Sequence, residues 1–147
     1  MKVYRLEFLQ PDGRWTGPYC AEYMTARAFD IRDKMLKYHN TSSKHVFPDA
    51  QVFATNPGKD RYVCGSASMP KLFSWFGSYL ALFMKEGGHI AIYEVPVAAI
   101  ASIDDYQIVY QQRQGVLLSR KAKRSLKQSE LVERIHPDKF KTKGCQS

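Results

Sequence analysis

The sequence predicts an α+β fold: a single compact domain with a central mixed sheet around one buried helix, plus a basic C-terminal helix. Three observations carry that expectation. Tyr62 to Pro96 reads as strand, Gly-Ser turn, long apolar stretch, Gly-Gly stop and strand, which is one complete β-α-β unit. Val3 to Phe8 alternates in period two, the signature of a strand with one face in a core. Charge is segregated: residues 1–112 hold twelve Lys/Arg against eleven Asp/Glu, a net of +1, whereas residues 113–147 hold ten against three, a net of +7. A chain of 147 residues that is 44% hydrophobic has the length of one domain and the apolar content for a real core. The expected division is a core domain over 1–118 and a basic helical extension over 119–147.

The elements follow in order. After the first strand, Pro11-Asp12-Gly13 and Gly17-Pro18 bracket a turn or hairpin around Trp15. Thr25 is placed to cap a helix over 26–39, where Ala28, Ile31, Met35 and Tyr38 recur at helical spacing. Residues 39–60 break all periodicity and read as a long surface loop holding His39 and His45. Arg61 to Gly65 forms the next strand. Ser68 and Pro70 suit the N-cap and first turn of a helix whose apolar residues, Leu72 to Met84, cover nearly its whole circumference. Such a helix is expected at the centre of the fold. Gly87-Gly88 stops it, and Ile90 to Val95 forms a strand apolar on both faces except at Glu94. Asp104-Asp105 caps a turn before the strand Tyr106–Tyr110, and Val116-Leu117-Leu118 closes a hairpin. From Ser119 the composition shifts to a helix that gathers Arg120, Lys123, Arg124, Lys127 and Arg134 on one arc.

Several function classes fall away on composition. No apolar run approaches the roughly 20 residues of a bilayer span, so no membrane is expected. The charged start leads straight into a strand, without the pattern of a secretory signal. Cys20, Cys64 and Cys145 have no metal-like spacing, and an odd count of cysteines suits free thiols in the cytoplasm. No metal site is expected.

The candidate chemistry begins with the order of motifs: Arg5 on the first strand, Ser66-Ala67-Ser68 ending another, a buried helix, the strand with Glu94, and the strand Tyr106-Gln107-Ile108-Val109-Tyr110. That layout resembles a degenerate ADP-ribosyltransferase core. The resemblance implies NAD as cofactor, Arg5 meeting the dinucleotide, and Ser66 and Ser68 shaping the nicotinamide pocket. It places Gln107 where that family carries a glutamate. A neutral amide cannot supply the negative charge that a cation-like ribosyl centre needs, so transferase activity is not expected to survive. Glu94, the carboxylate within an apolar strand, is the alternative acid.

The pattern Cys64-Gly65-Ser66-x-Ser68 followed by Leu72, Trp75-Phe76, Tyr93-Glu94-Val95-Pro96 and Tyr106 to Tyr110 also resembles small uncharacterised proteins of tailed bacteriophages. That likeness implies a role inside an infected bacterium, in the host cytoplasm. The expected partner is a host protein or protein complex, as in host interaction or counter-defence. One alternative is nucleic-acid binding by the five cations of the C-terminal helix, extended by Lys139, Lys141 and Lys143; the other, which the first resemblance implies, is an active NAD-dependent ADP-ribosyltransferase. No aromatic interleaving or helix-turn-helix pattern accompanies them, so base readout is not expected. His136-Pro137-Asp138 matches the signature tripeptide of J-domain co-chaperones, but too few residues follow it for that domain's next helix.

Overall fold

A computed structural model describes residues 1–41, 61–124 and 126–134. Residues 42–60 of the loop expected over 39–60, and residues 135–147 with the His-Pro-Asp tripeptide, lie outside that description. Four strands, β1 (Lys2–Leu9), β2 (Trp15–Thr16), β5 (His89–Glu94) and β8 (Val116–Ala122), form one sheet in the order β2-β1-β5-β8. A second sheet has the order β4-β7-β6, from β4 (Tyr62–Gly65), β6 (Ile100–Ile103) and β7 (Ile108–Gln111). A short ribbon pairs β3 (Tyr23–Met24) with β9 (Val132–Glu133). The helices are α1 (Ala26–Thr41), α2 (Met69–Phe76) and α3 (Tyr79–Lys85).

The α+β class stands, but the expected mixed sheet does not: every strand pair among the described residues is antiparallel. The β-α-β reading also gives way, because β4 and β5 belong to different sheets. The period-two pattern of β1 explains the layering. Leu6 and Phe8 join α1, α2 and α3 in one apolar core, with Phe83 edge-on to Phe8 at 5.6 Å. Val3 instead packs with Val63, Val95, Ile108 and Tyr110 against the second sheet. β1 is thus buried on both faces, between a helical layer and a second sheet. A fully buried side chain the size of Phe83 contributes about 1.5–3 kcal/mol of transfer free energy to this arrangement.

The two sheets touch where the backbones of Tyr4 and Ser66 exchange hydrogen bonds, both of 2.8 Å. Gly65 makes that corner possible. A Cβ there would strike Cγ1 of Val3 and come within 3.0 Å of the Tyr4 carbonyl oxygen.

Thr25 caps α1 as expected, its Oγ1 accepting the Ala28 N–H at 3.1 Å. Ala28, Ile31 and Met35 are buried, but the helix runs past its expected end to Thr41. His39, expected in a loop, is therefore helical and buried, while Tyr38 turns outward. The Tyr19 hydroxyl meets His39 Nδ1 at 2.5 Å, and Nε2 meets the Trp75 carbonyl at 3.0 Å.

The single buried helix is two helices. Gly77 adopts a φ of +57°, a left-handed conformation natural to glycine, and its N–H closes α2 on the Phe73 carbonyl. Their apolar surface is only partly covered: Phe73 is 58% exposed.

The basic C-terminal helix is the main correction. Residues 116–122 are β8, paired along β5 with Ile90 opposite Lys121 and Ala91 opposite Arg120. Beyond them, the described residues form a 3-10 turn at Gln128–Glu130 and the strand β9. β-branched and apolar residues begin β8, and the edge of β5 supplies a ladder of backbone partners that a helix here would forgo. β8 runs through the 118/119 junction at which the extension was expected to begin.

Candidate functional site

A buried ion pair, Arg5 with Glu7, lies between the two sheets. On β1, Arg5 and Glu7 point to the same side, as residues two apart on a strand must. Arg5 Nη1 donates to Glu7 Oε2 at 3.0 Å, and Arg5 Nε to the Cys64 carbonyl at 2.8 Å. The other Glu7 oxygen accepts from the Tyr93 hydroxyl at 2.7 Å and from Arg120 Nη2 at 3.1 Å. Arg120 also donates to the Tyr93 oxygen at 2.8 Å and lies 3.9 Å above the Trp15 ring. Glu7 is fully buried and Arg5 only 3% exposed. Two guanidinium groups and a phenol thus satisfy one carboxylate inside the protein. Burial, then the Glu7 charge, pushes the Tyr93 hydroxyl far above its ordinary range. Burial raises Tyr110 as well, with Arg5 pulling the other way.

The sequence candidates divide around this cluster. Arg5, Ser66 and Gln107 line one small cavity of about 40 Å³, together with Tyr19, Trp75 and Phe76. Ser66 Oγ donates to the Tyr106 carbonyl at 3.0 Å. Gln107 Oε1 is buried without a hydrogen-bond partner among the described residues. Ser68 is not a lining residue: its Oγ caps α2 by accepting the Lys71 N–H at 3.2 Å. Glu94 is a correction, because it is exposed and pairs with the N-terminal ammonium at 3.1 Å. It lies at the end of β5 on the face of Ile90 and Ile92, away from the second sheet that buries its neighbour Val95. The cavity is an order of magnitude smaller than the roughly 300–1,000 Å³ of ordinary ligand pockets. With Arg5 already committed to Glu7 and Cys64, the ADP-ribosyltransferase resemblance finds no support.

A much larger concavity opens on the opposite face of the first sheet. It measures about 520 Å³. Met69, Phe73 and Met84 of α2 and α3 form its wall, and Ile90 and Ile92 of β5 its floor. Lys121 and Lys123 stand at its rim, and among the described residues no acidic side chain lines it. The model of the family described as Bacteriophage T4 Y00F protein matches residues 1–123, a stretch that contains both the polar cluster and the whole groove. The chain belongs to that family. No curated protein and no solved structure matches it.

In this phage family member the five expected partner-binding cations do not share a face. Arg120 is held by Glu7. Arg124 donates to the Lys85 carbonyl and to Glu130 at 2.9 Å. Arg134 is buried and donates to the Tyr19 carbonyl. Lys123 and Lys127 remain exposed. The physical reason is that no helix gathers them: Arg120 is on β8, Lys123 and Arg124 follow the end of that strand, Lys127 precedes the 3-10 turn, and Arg134 follows β9.

Sequence reasoning missed Glu7, Tyr93 and Arg32. The alternation of β1 puts Glu7 on a definite face, but the second sheet that covers this face is built from residues 62–65, 100–103 and 108–111, far along the chain. Arg32 is buried on α1 with its guanidinium 4.7 Å from the Phe29 ring centre. Burial, then the Arg134 charge, lowers its pKa to about 10. Among the described residues no three His, Cys, Asp or Glu side chains gather as metal ligands, and no helix is long and apolar enough to cross a membrane.

Proposed function

We propose that this phage protein acts in the cytoplasm of the infected bacterium by binding a host protein, in the manner of a host-interaction or counter-defence factor. The observation that carries this reading is the open groove of about 520 Å³ with an apolar wall and floor and a lysine rim. Contiguous exposed apolar surface edged by charge is the mark of a protein-binding face. Two wall residues are methionines, whose flexible thioethers adapt to a partner's shape. The buried cluster of Glu7, Arg5, Tyr93 and Arg120 supports the same reading from the other side, since its charges are spent on one another and hold β1, β5 and β8 rigid beneath the groove.

Nucleic-acid binding is the weaker reading. Arg120 and Arg134, two of the five cations it needs, are turned into the protein. The experiment that tests the proposal is affinity capture from bacterial lysate with nuclease present. A host protein retained in near-stoichiometric amount through the nuclease supports it. Capture that nuclease abolishes favours nucleic acid instead.

A further inference from the structure

We infer that the groove receives a helix of the host partner, an amphipathic one with carboxylates flanking its apolar stripe; this rests on the host-protein reading above. The shape argument comes from the layers. α1, α2 and α3 cover Leu6 and Phe8 of β1, but the sheet extends past them to Ile90 and Ile92 of β5 and to Ser119 and Lys121 of β8. Two neighbouring strands make a strip about 10 Å wide, which is the diameter of one helix. The helical layer therefore stops one helix short of the edge of its sheet, and α2 and α3 present Met69, Phe73 and Met84 along the side of that space. A helix laid there would place residues at i, i+3 or i+4, and i+7 on the floor and wall.

Charge selects among occupants. Lys121 and Lys123 line the groove and, among the described residues, no carboxylate does, so an acidic helix is complementary and a basic one is repelled. A second copy of this chain would bring two lysine rims together. Residues 135–147 carry three lysines and a single aspartate, the wrong sign for this rim. The exposure of Phe73 and Ala81 makes the groove an open trough rather than the enclosed pocket an acyl chain needs.

The test couples capture to mapping. The full chain and three variants, Phe73→Asp, Lys121→Glu with Lys123→Glu, and Lys121→Arg with Lys123→Arg, are used to capture host protein from nuclease-treated bacterial lysate. A carbodiimide then joins lysines to contacting carboxylates, and the joined peptides are identified by mass spectrometry. We expect the aspartate and double-glutamate variants to lose at least about tenfold in recovery, as removal of a central anchor does, while the double-arginine variant keeps it. Lys121 or Lys123 should be joined to acidic residues of a helical segment in the partner. Thermal melting of each variant serves as the folding check; Lys121→Glu with Lys123→Glu stands in should Phe73→Asp fail to fold. A partner captured equally by all variants, or joined away from the groove, overturns the helix site and leaves the host-protein reading intact. Joining to a second copy, or to Asp49, Asp60 or Asp138 of the same chain, also overturns it. Capture of no protein overturns both.

Discussion

Arg5 and Glu7, two residues apart on β1, form an ion pair of 3.0 Å that is closed to water at both ends. A buried carboxylate is tolerable only while its oxygens are filled, and here Arg5 fills one while Tyr93 and Arg120 fill the other. The pair faces the second sheet, and the cavity that Arg5 lines measures only about 40 Å³.

Removing Glu7 should therefore be costly. Glu7→Ala strands Arg5 and Arg120 beside each other and is expected to cost about 3–5 kcal/mol, the range for breaking a buried pair. Urea unfolding measures it. The double variant Arg5→Met with Glu7→Leu should lose less than the two single changes together, since it removes both fully buried charges and leaves only the partly exposed Arg120 without its carboxylate.

Arg120 and Lys123 separate the strand from the helix expected in its place. On a solvated helix face both would tolerate charge reversal. Arg120 on β8 reaches Glu7, and Lys123, one residue past the end of the strand, is exposed. Arg120→Glu should lower the melting temperature severely by placing two carboxylates together, while Lys123→Glu should change it by no more than about 0.5 kcal/mol equivalent. Equal tolerance at both positions would contradict the strand.

The contrast shows what the sequence made legible. β1, the Thr25 cap, the Ser68 cap and the Gly87-Gly88 stop were readable because each is decided by neighbours within a few residues. The fate of residues 119–134 was not. The spacing of Arg120, Lys123, Arg124 and Lys127 satisfies a helix, and what overrides it is the open edge of β5 and the buried carboxylate of Glu7, more than a hundred residues away. The break at Gly77 was visible as a glycine, but the all-round apolar pattern on either side hid it. The groove had no local signal at all: it arises where α2 and α3 end short of β8.

Tyr93 gives a pH signature. Its folded pKa lies above the usual 10.0, chiefly through burial and then through the Glu7 charge. Above about pH 10 the unfolded chain releases this proton and the folded chain keeps it, so the contribution is full below pH 10 and declines as pH rises. Urea midpoints from about pH 8 to pH 11.5 should fall more steeply for the wild type than for Tyr93→Phe, which has no proton to lose. Arg32 acts in the opposite direction over the same window, with its pKa lowered to about 10, but it is common to both proteins and cancels in the difference. Parallel curves would show that Tyr93 does not ionise differently in the two states.

The central claim is that the protein works through the groove between its helices and the edge of its first sheet. Amide hydrogen exchange of the full chain, with and without the purified host partner that it captures, tests this most directly. The account predicts that slowed exchange on binding concentrates in residues 69–84, 90–92 and 116–123. Slowed exchange confined to the β4-β7-β6 sheet, or an unchanged pattern around Phe73 and Lys121 in the bound protein, would contradict it.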